Sequence, residues 1–90
     1  MVKGIKNGSY MVKKLLDELR WHPEKSLEDV EIVYLHRGAP DDRKTVKATE
    51  VKRFDRGYFV LLHHGREVYI PYHRVLEIRR GEKVLYRKKS

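Results

Sequence analysis

The sequence predicts an α+β fold, with one N-terminal amphipathic helix packed on a meandering antiparallel sheet or small, partly closed barrel of five or six strands. Three observations carry this: apolar residues at helical spacing near the start, strand-like stretches from Val30 onward, and glycines at 57 and 81 between stretches of β pattern. Ninety residues hold one modest core, so a single domain over residues 1–90 is expected.

The elements follow in order. Ser9 is a residue type that caps helices by accepting a backbone N–H, and Val12, Leu15, Leu16 and Leu19 then recur on one face, so residues 10–21 form a helix. Trp21 is expected to pack the helix exit onto the core. Pro23 stops the helix and pushes His22 toward an extended conformation, which makes His22 a helix-end hydrogen-bonding residue ahead of a ligand. Within the loop "PEKSLEDV", Ser26 could start a short helical segment. Val30, Ile32, Tyr34 and His36 alternate with Glu31, Val33, Leu35 and Arg37, a strand buried on much of both faces. "RGAPDDRK" has turn chemistry, and Asp41 and Asp42 are read as capping it, a Mg²⁺ role being the minor alternative.

"TEVKRF" and "GYFVLLHH" are joined by "DRG", whose glycine supplies the positive φ of a tight hairpin. "REVYI" and "RVLEIRR" flank Pro71, which cannot donate to a ladder and belongs at a strand end, edge or bulge, lifting Tyr72, His73 and Arg74 out of the sheet. "RGEKVLYRK" closes a further hairpin through Gly81. His63 and His64 are placed on opposite faces of a strand, where they cannot share a metal, and no metal or other cofactor is assigned.

Composition narrows the function. No apolar run approaches the roughly 18 residues of a membrane span, and "MVKGIKNGSY" lacks the apolar stretch of a signal peptide. Zero cysteines exclude disulfides, thiolate zinc and cysteine nucleophiles, and fit a reducing cytoplasm. A charged fraction of 38% fits a protein of heat-loving organisms. The net charge of +8 is uneven: residues 1–45 hold 9 basic and 8 acidic side chains, residues 46–90 hold 12 and 5. Such a one-sided basic field favours a polyanion, nucleic acid above all; the plainer alternative is a solvated surface with a Lys/Arg-rich tail.

Two short stretches bring Tyr, His and Arg together, "YLHRG" at 34–38 and "PYHR" at 71–74. Arginine's planar fork matches phosphate oxygens, and histidine can donate to a phosphate or move a proton. Gly38 would allow close backbone approach to a ligand. Tyr34 reads as core ahead of a base platform, and Tyr72 as a ring able to stack on a base. There is no phosphate-binding glycine loop and no HExxH, so common enzyme signatures are absent.

"WHP" at 21–23, "HRG" at 36–38 and "IPYHRVLEIRR" at 70–80 together resemble a family of small basic archaeal proteins described as an RNA cyclic-phosphate-end recognition domain, a domain also found fused to RNA-processing modules. The resemblance spans about residues 10–88, and the string "IP-x-HR-[IV]-LEI" is its most specific part. It implies that His22, His36, Arg37, His73 and Arg74 occupy the family's polar positions, beside Trp21, Gly38, Ile70 and Pro71. The stretch "DDRKTVKATEVKRFDRG" departs most, and carries over only its general basicity.

The expectation is therefore a non-catalytic RNA-binding module that reads phosphorylated or 2′,3′-cyclic-phosphate ends, single-stranded or terminal, in RNA processing or repair. Arg37 and Arg74 grip the phosphate, His36 and His73 donate to it, Tyr72 stacks on the last base, and Lys52, Arg53, Arg79 and Arg80 track the backbone. One alternative is a metal-independent phosphoesterase or nuclease with His36 and His73 as acid and base, although the H-x-[ST] motif of two-histidine phosphoesterases is missing. Another is an interaction domain for an acidic protein partner.

Overall fold

A computed structural model describes residues 8–21 and 27–88. Helix α1 (Gly8–Trp21) is followed by β1 (Val30–Leu35), β2 (Arg43–Lys47), β3 (Arg53–Phe54), β4 (Tyr58–His63), β5 (Arg66–Pro71), β6 (Val75–Arg80) and β7 (Lys83–Arg87). Single 3-10 turns stand at Pro40–Asp42, Ala48–Glu50 and Tyr72–Arg74. The α+β class stands, but the single meander or barrel does not. The strands form two antiparallel sheets, one ordered β2-β1-β6-β7 and one ordered β3-β4-β5. The difference arises after Pro71, where the chain leaves the second sheet and β6 pairs with β1 and β7 rather than with β5.

Helix α1 starts earlier than the Ser9 cap implied and includes that residue. Its stripe of Val12, Leu16 and Leu19 is buried, and each such side chain contributes roughly 1.5–3 kcal/mol. Trp21 does not pack the helix exit. It is 75% exposed, because at 100° per residue it falls about 200° from Leu19; its ring lies beneath the Arg20 guanidinium at 5.7 Å. His22 and the expected helical start at Ser26 lie outside the described residues.

The core joins the helix stripe to the inner faces of both sheets through Ile32, Tyr34, Phe59, Ile70, Tyr72, Val75 and Ile78. Phe59 is its aromatic centre, with ring centroids 6.1 Å from Tyr34 and 6.0 Å from Tyr72. β1 is buried on both faces as its sequence implied, with only Glu31 and Leu35 partly exposed.

Turn chemistry explains the hairpins with two corrections. Gly81 sits at φ +58 in a two-residue turn between Arg80 and Lys83, as expected. Gly57 does not have a positive φ; the β3–β4 turn closes instead by the Asp55 N–H donating to Tyr58 O at 2.8 Å. His64 has φ +54 and precedes Gly65 at φ +80, the two left-handed positions of a β4–β5 turn that matches the strand twist. His64 is thus outside the strand, strand alternation no longer separates it from His63, and their rings meet at 4.2 Å. Among the described residues no cluster of three or more His, Cys, Asp or Glu could hold a metal ion.

Candidate nucleic-acid interface

Each Tyr-His-Arg cluster is built the same way, with the tyrosine turned inward and the His-Arg step outward. Tyr34, the penultimate residue of β1, is 6% exposed, and His36 and Arg37 follow on the surface. Tyr72 is 2% exposed, so it is a core residue and cannot stack on a base as expected. Its hydroxyl donates to Asp55 O at 2.7 Å and its N–H to Gly57 O at 3.2 Å, pinning the Tyr72–Arg74 turn to the β3–β4 turn. His73 and Arg74 stay exposed. Pro71 ends β5 opposite Tyr58, and the missing N–H is what releases the chain into this turn.

The loop after β1 is closed by its own hydrogen bonds, and Arg37 stays exposed on it. The His36 N–H donates to Asp42 O at 2.8 Å, the Ala39 N–H to His36 O at 3.2 Å, and the Gly38 N–H to the Asp42 carboxylate at 3.3 Å. Gly38 has φ +95, a conformation that L side chains rarely adopt, and a Cβ there would meet nothing within 4 Å. Glycine is therefore present for its dihedral, not because the space is crowded.

Antiparallel pairing brings the two clusters to one end of the four-stranded sheet. Tyr34 pairs with Val75, so His36 and His73 each lie two residues beyond that pair on neighbouring chains. A bulge adds Leu76 to β6 at this point and re-aims the strand. The Lys88 N–H donates to Leu76 O at 2.8 Å, and the Lys88 ammonium to His73 O at 2.8 Å, tying the end of β7 to the 3-10 turn. β2 begins at the same end, with Arg43 opposite Leu35 and Lys44 opposite Tyr34. Among the described residues no carboxylate comes within ion-pair distance of Arg37, Arg43, Lys44 or Arg74.

The residues expected to track a backbone lie elsewhere and are largely neutralised. The Lys52 ammonium reaches Glu67 at 2.7 Å, and Arg53 bridges Asp55 at 2.9 Å and Glu67 at 3.1 Å, all beside the three-stranded sheet. Held first by Lys52, then by the Tyr69 hydroxyl and Arg53, the Glu67 carboxyl is lowered to about 2. Arg79 pairs with Glu31 at 3.5 Å and, through Nε, with Glu77 at 3.7 Å; the latter is too long for a hydrogen bond, and buried Nε has no such partner among the described residues. Arg80 pairs with Val30 in register, at the far end of β6, roughly 20 Å from His73 by strand rise. These four cations do not form one stripe with the His-Arg clusters.

Arg43, Arg87 and Lys88 are the site-end cations that sequence reasoning did not single out, and Lys44 entered only as general basicity. Arg87 pairs with Glu77 at 3.5 Å and remains 68% exposed. The signal was present for Arg87 and Lys88: counting back from the Gly81 turn sets the end of β7 beside the start of β6. Arg43 and Lys44 needed the β1–β2 register, which "RGAPDDRK" does not reveal.

A cleft of about 540 Å³ opens between the two sheets beside this end, with His36 and Lys44 among its lining residues.

A UPF0248 protein of Methanocaldococcus jannaschii is 38% identical over 84 residues, covering 91% of this chain and 99% of its own. One from Methanococcus vannielii is 42% identical over 81 residues, 87% of this chain and 92% of its own, and one from Archaeoglobus fulgidus is 37% identical over 73 residues, 81% and 99%. No solved structure matches. The family model described as the MJ1316 RNA cyclic group end recognition domain matches residues 10–88, and the chain belongs to that archaeal family.

Proposed function

We propose that this protein is a non-catalytic reader of RNA ends, with Arg37 and Arg74 gripping a terminal phosphate or 2′,3′-cyclic phosphate while His36 and His73 donate to it. The observation that carries this reading is the Tyr34–Val75 register, which sets both His-Arg steps at one sheet end beside unpaired Arg43 and Lys44. Guanidinium forks match phosphate oxygens, and cations without carboxylate partners need no ion pair broken before they bind. The family description supports the cyclic end as the ligand. Lys52, Arg53, Arg79 and Arg80 take no part in this revised reading.

The test is a titration of the purified protein with one short labelled RNA ending in a 2′,3′-cyclic phosphate, a 3′-phosphate or a free hydroxyl. The cyclic end is expected to bind tightest and to remain intact. Arg37→Ala and Arg74→Ala should each weaken it about tenfold, which is about 1.4 kcal/mol, whereas Arg80→Ala should change it little. Equal affinity for all three ends would overturn end reading. Cleavage that disappears in His73→Ala would replace the reader with an enzyme using the two histidines.

A further inference from the structure

We infer that the cleft between the sheets receives the base of the terminal nucleotide whose phosphate sits on the His-Arg end. This rests on the end-reading function above and adds a second, separate subsite. The cleft's 540 Å³ falls within the roughly 300–1,000 Å³ of small-ligand pockets. One wall comes from β1 and β2, the other from β4 and β5, so it is the outward continuation of the core where the sheets part.

Its chemistry fits a heteroaromatic base. Leu61, Val68 and Ile70 give an apolar wall for the base faces, and Val68 remains 37% exposed, an apolar surface that no described element covers. Polar partners stand at two places. His36 and Lys44 stand at the sheet end that carries the His-Arg steps: Lys44 pairs with Tyr34, and the His36 ring meets the Tyr34 ring edge-on at 6.4 Å. His63 and Glu50 line the cleft as well and can hydrogen-bond the polar edge of a base, His63 from the end of β4.

Charge sets the direction. The unpaired cations Arg37, Arg43, Lys44 and Arg74 belong to that sheet end, while the cleft lining includes the Glu50 carboxylate and an apolar wall. A phosphate is favoured at the cationic sheet end and disfavoured beside Glu50 and the apolar wall, so the base takes the wall. His36 belongs to both subsites, and that shared residue makes the phosphate and base positions contiguous. Selectivity for an end then includes the last nucleoside, beyond its phosphate.

The experiment is an NMR titration of the full chain with cytidine 2′,3′-cyclic monophosphate and, separately, with inorganic phosphate. The nucleotide should shift the methyl resonances of Leu61, Val68 and Ile70 together with the Arg37 and Arg74 side-chain signals, and phosphate should shift the arginine signals with the methyls unmoved. Val68→Trp, which fills the cleft at a partly exposed edge-strand position, should weaken the nucleotide about tenfold and leave phosphate binding unchanged; His63→Ala should weaken the nucleotide without filling anything. Arginine signals that respond while the methyls stay silent would overturn the base subsite and leave end reading standing. Silence of Arg37 and Arg74 toward both ligands would overturn the two together.

Discussion

Tyr34 and Tyr72 precede the two His-Arg steps and are buried where those steps are exposed, so the aromatic ring is the anchor and the polar pair is the presented surface. Burial, before any charge effect, pushes the Tyr72 hydroxyl up to about 12. The hydroxyl therefore stays a neutral donor to Asp55 O at ordinary pH. Tyr72→Phe removes that bond and should cost about 1 kcal/mol in urea unfolding. The sign of the pH effect follows from the raised value. The buried, neutral hydroxyl stabilises the fold fully below the unfolded value of 10.0, and this contribution is lost as pH rises through about 12. Urea midpoints measured from pH 9 to 12 should fall less steeply in Tyr72→Phe than in the wild type. At this scale the exposed His and Arg were legible in the sequence, because charged tips rarely go inside. The tyrosine was not, since which residue of a "YHR" turn points inward depends on Phe59, Asp55 and Gly57, distant in sequence.

Among elements, the hairpins were legible and the long-range pairing was not. Gly81 announced the β6–β7 turn, and Pro71 announced the end of β5. Nothing local states that β6 lies against β1, a pairing that spans more than 40 residues and creates the site. The stretch "TEVKRF" read as a strand but is one only at Arg53–Phe54; Thr49 and Glu50 belong to the 3-10 turn Ala48–Glu50, closed by the Val51 N–H donating to Ala48 O at 3.2 Å. On the three-stranded sheet, charge stabilises an exposed carboxylate. Lys52→Ala removes the largest cause of Glu67's depressed value, so its titration midpoint should rise from about 2 toward the ordinary 4.5, as read by carboxyl NMR. Glu67's stabilising charge is present above pH 4.5 and lost as pH falls through about 2; in Lys52→Ala that loss should be smaller and complete at a higher pH.

For the molecule as a whole, the +8 charge is organised by pairing more than by sequence half. The basic excess of residues 46–90 suggested a stripe, yet Lys52, Arg53 and Arg79 carry carboxylate partners, while Arg43 and Lys44, from the nearly balanced half, have none among the described residues. Formal charge counts are visible in a sequence, but neutralisation depends on who stands opposite. Binding to single-stranded RNA should accordingly lose about 0.7 in the log–log salt slope in Arg43→Ala, one phosphate's worth, and keep the wild-type slope in Arg79→Ala. Titrations at several salt concentrations read both.

Phe59 touches Tyr34 at 6.1 Å and Tyr72 at 6.0 Å, so the two grips behave like caliper jaws riding on a single pin. One buried ring backs both jaws, whose place at one sheet end comes from the Tyr34–Val75 register. Trimming that ring, as in Phe59→Leu, should disturb both His-Arg steps at once, and amide NMR signals of His36, Arg37, His73 and Arg74 that move together would read it.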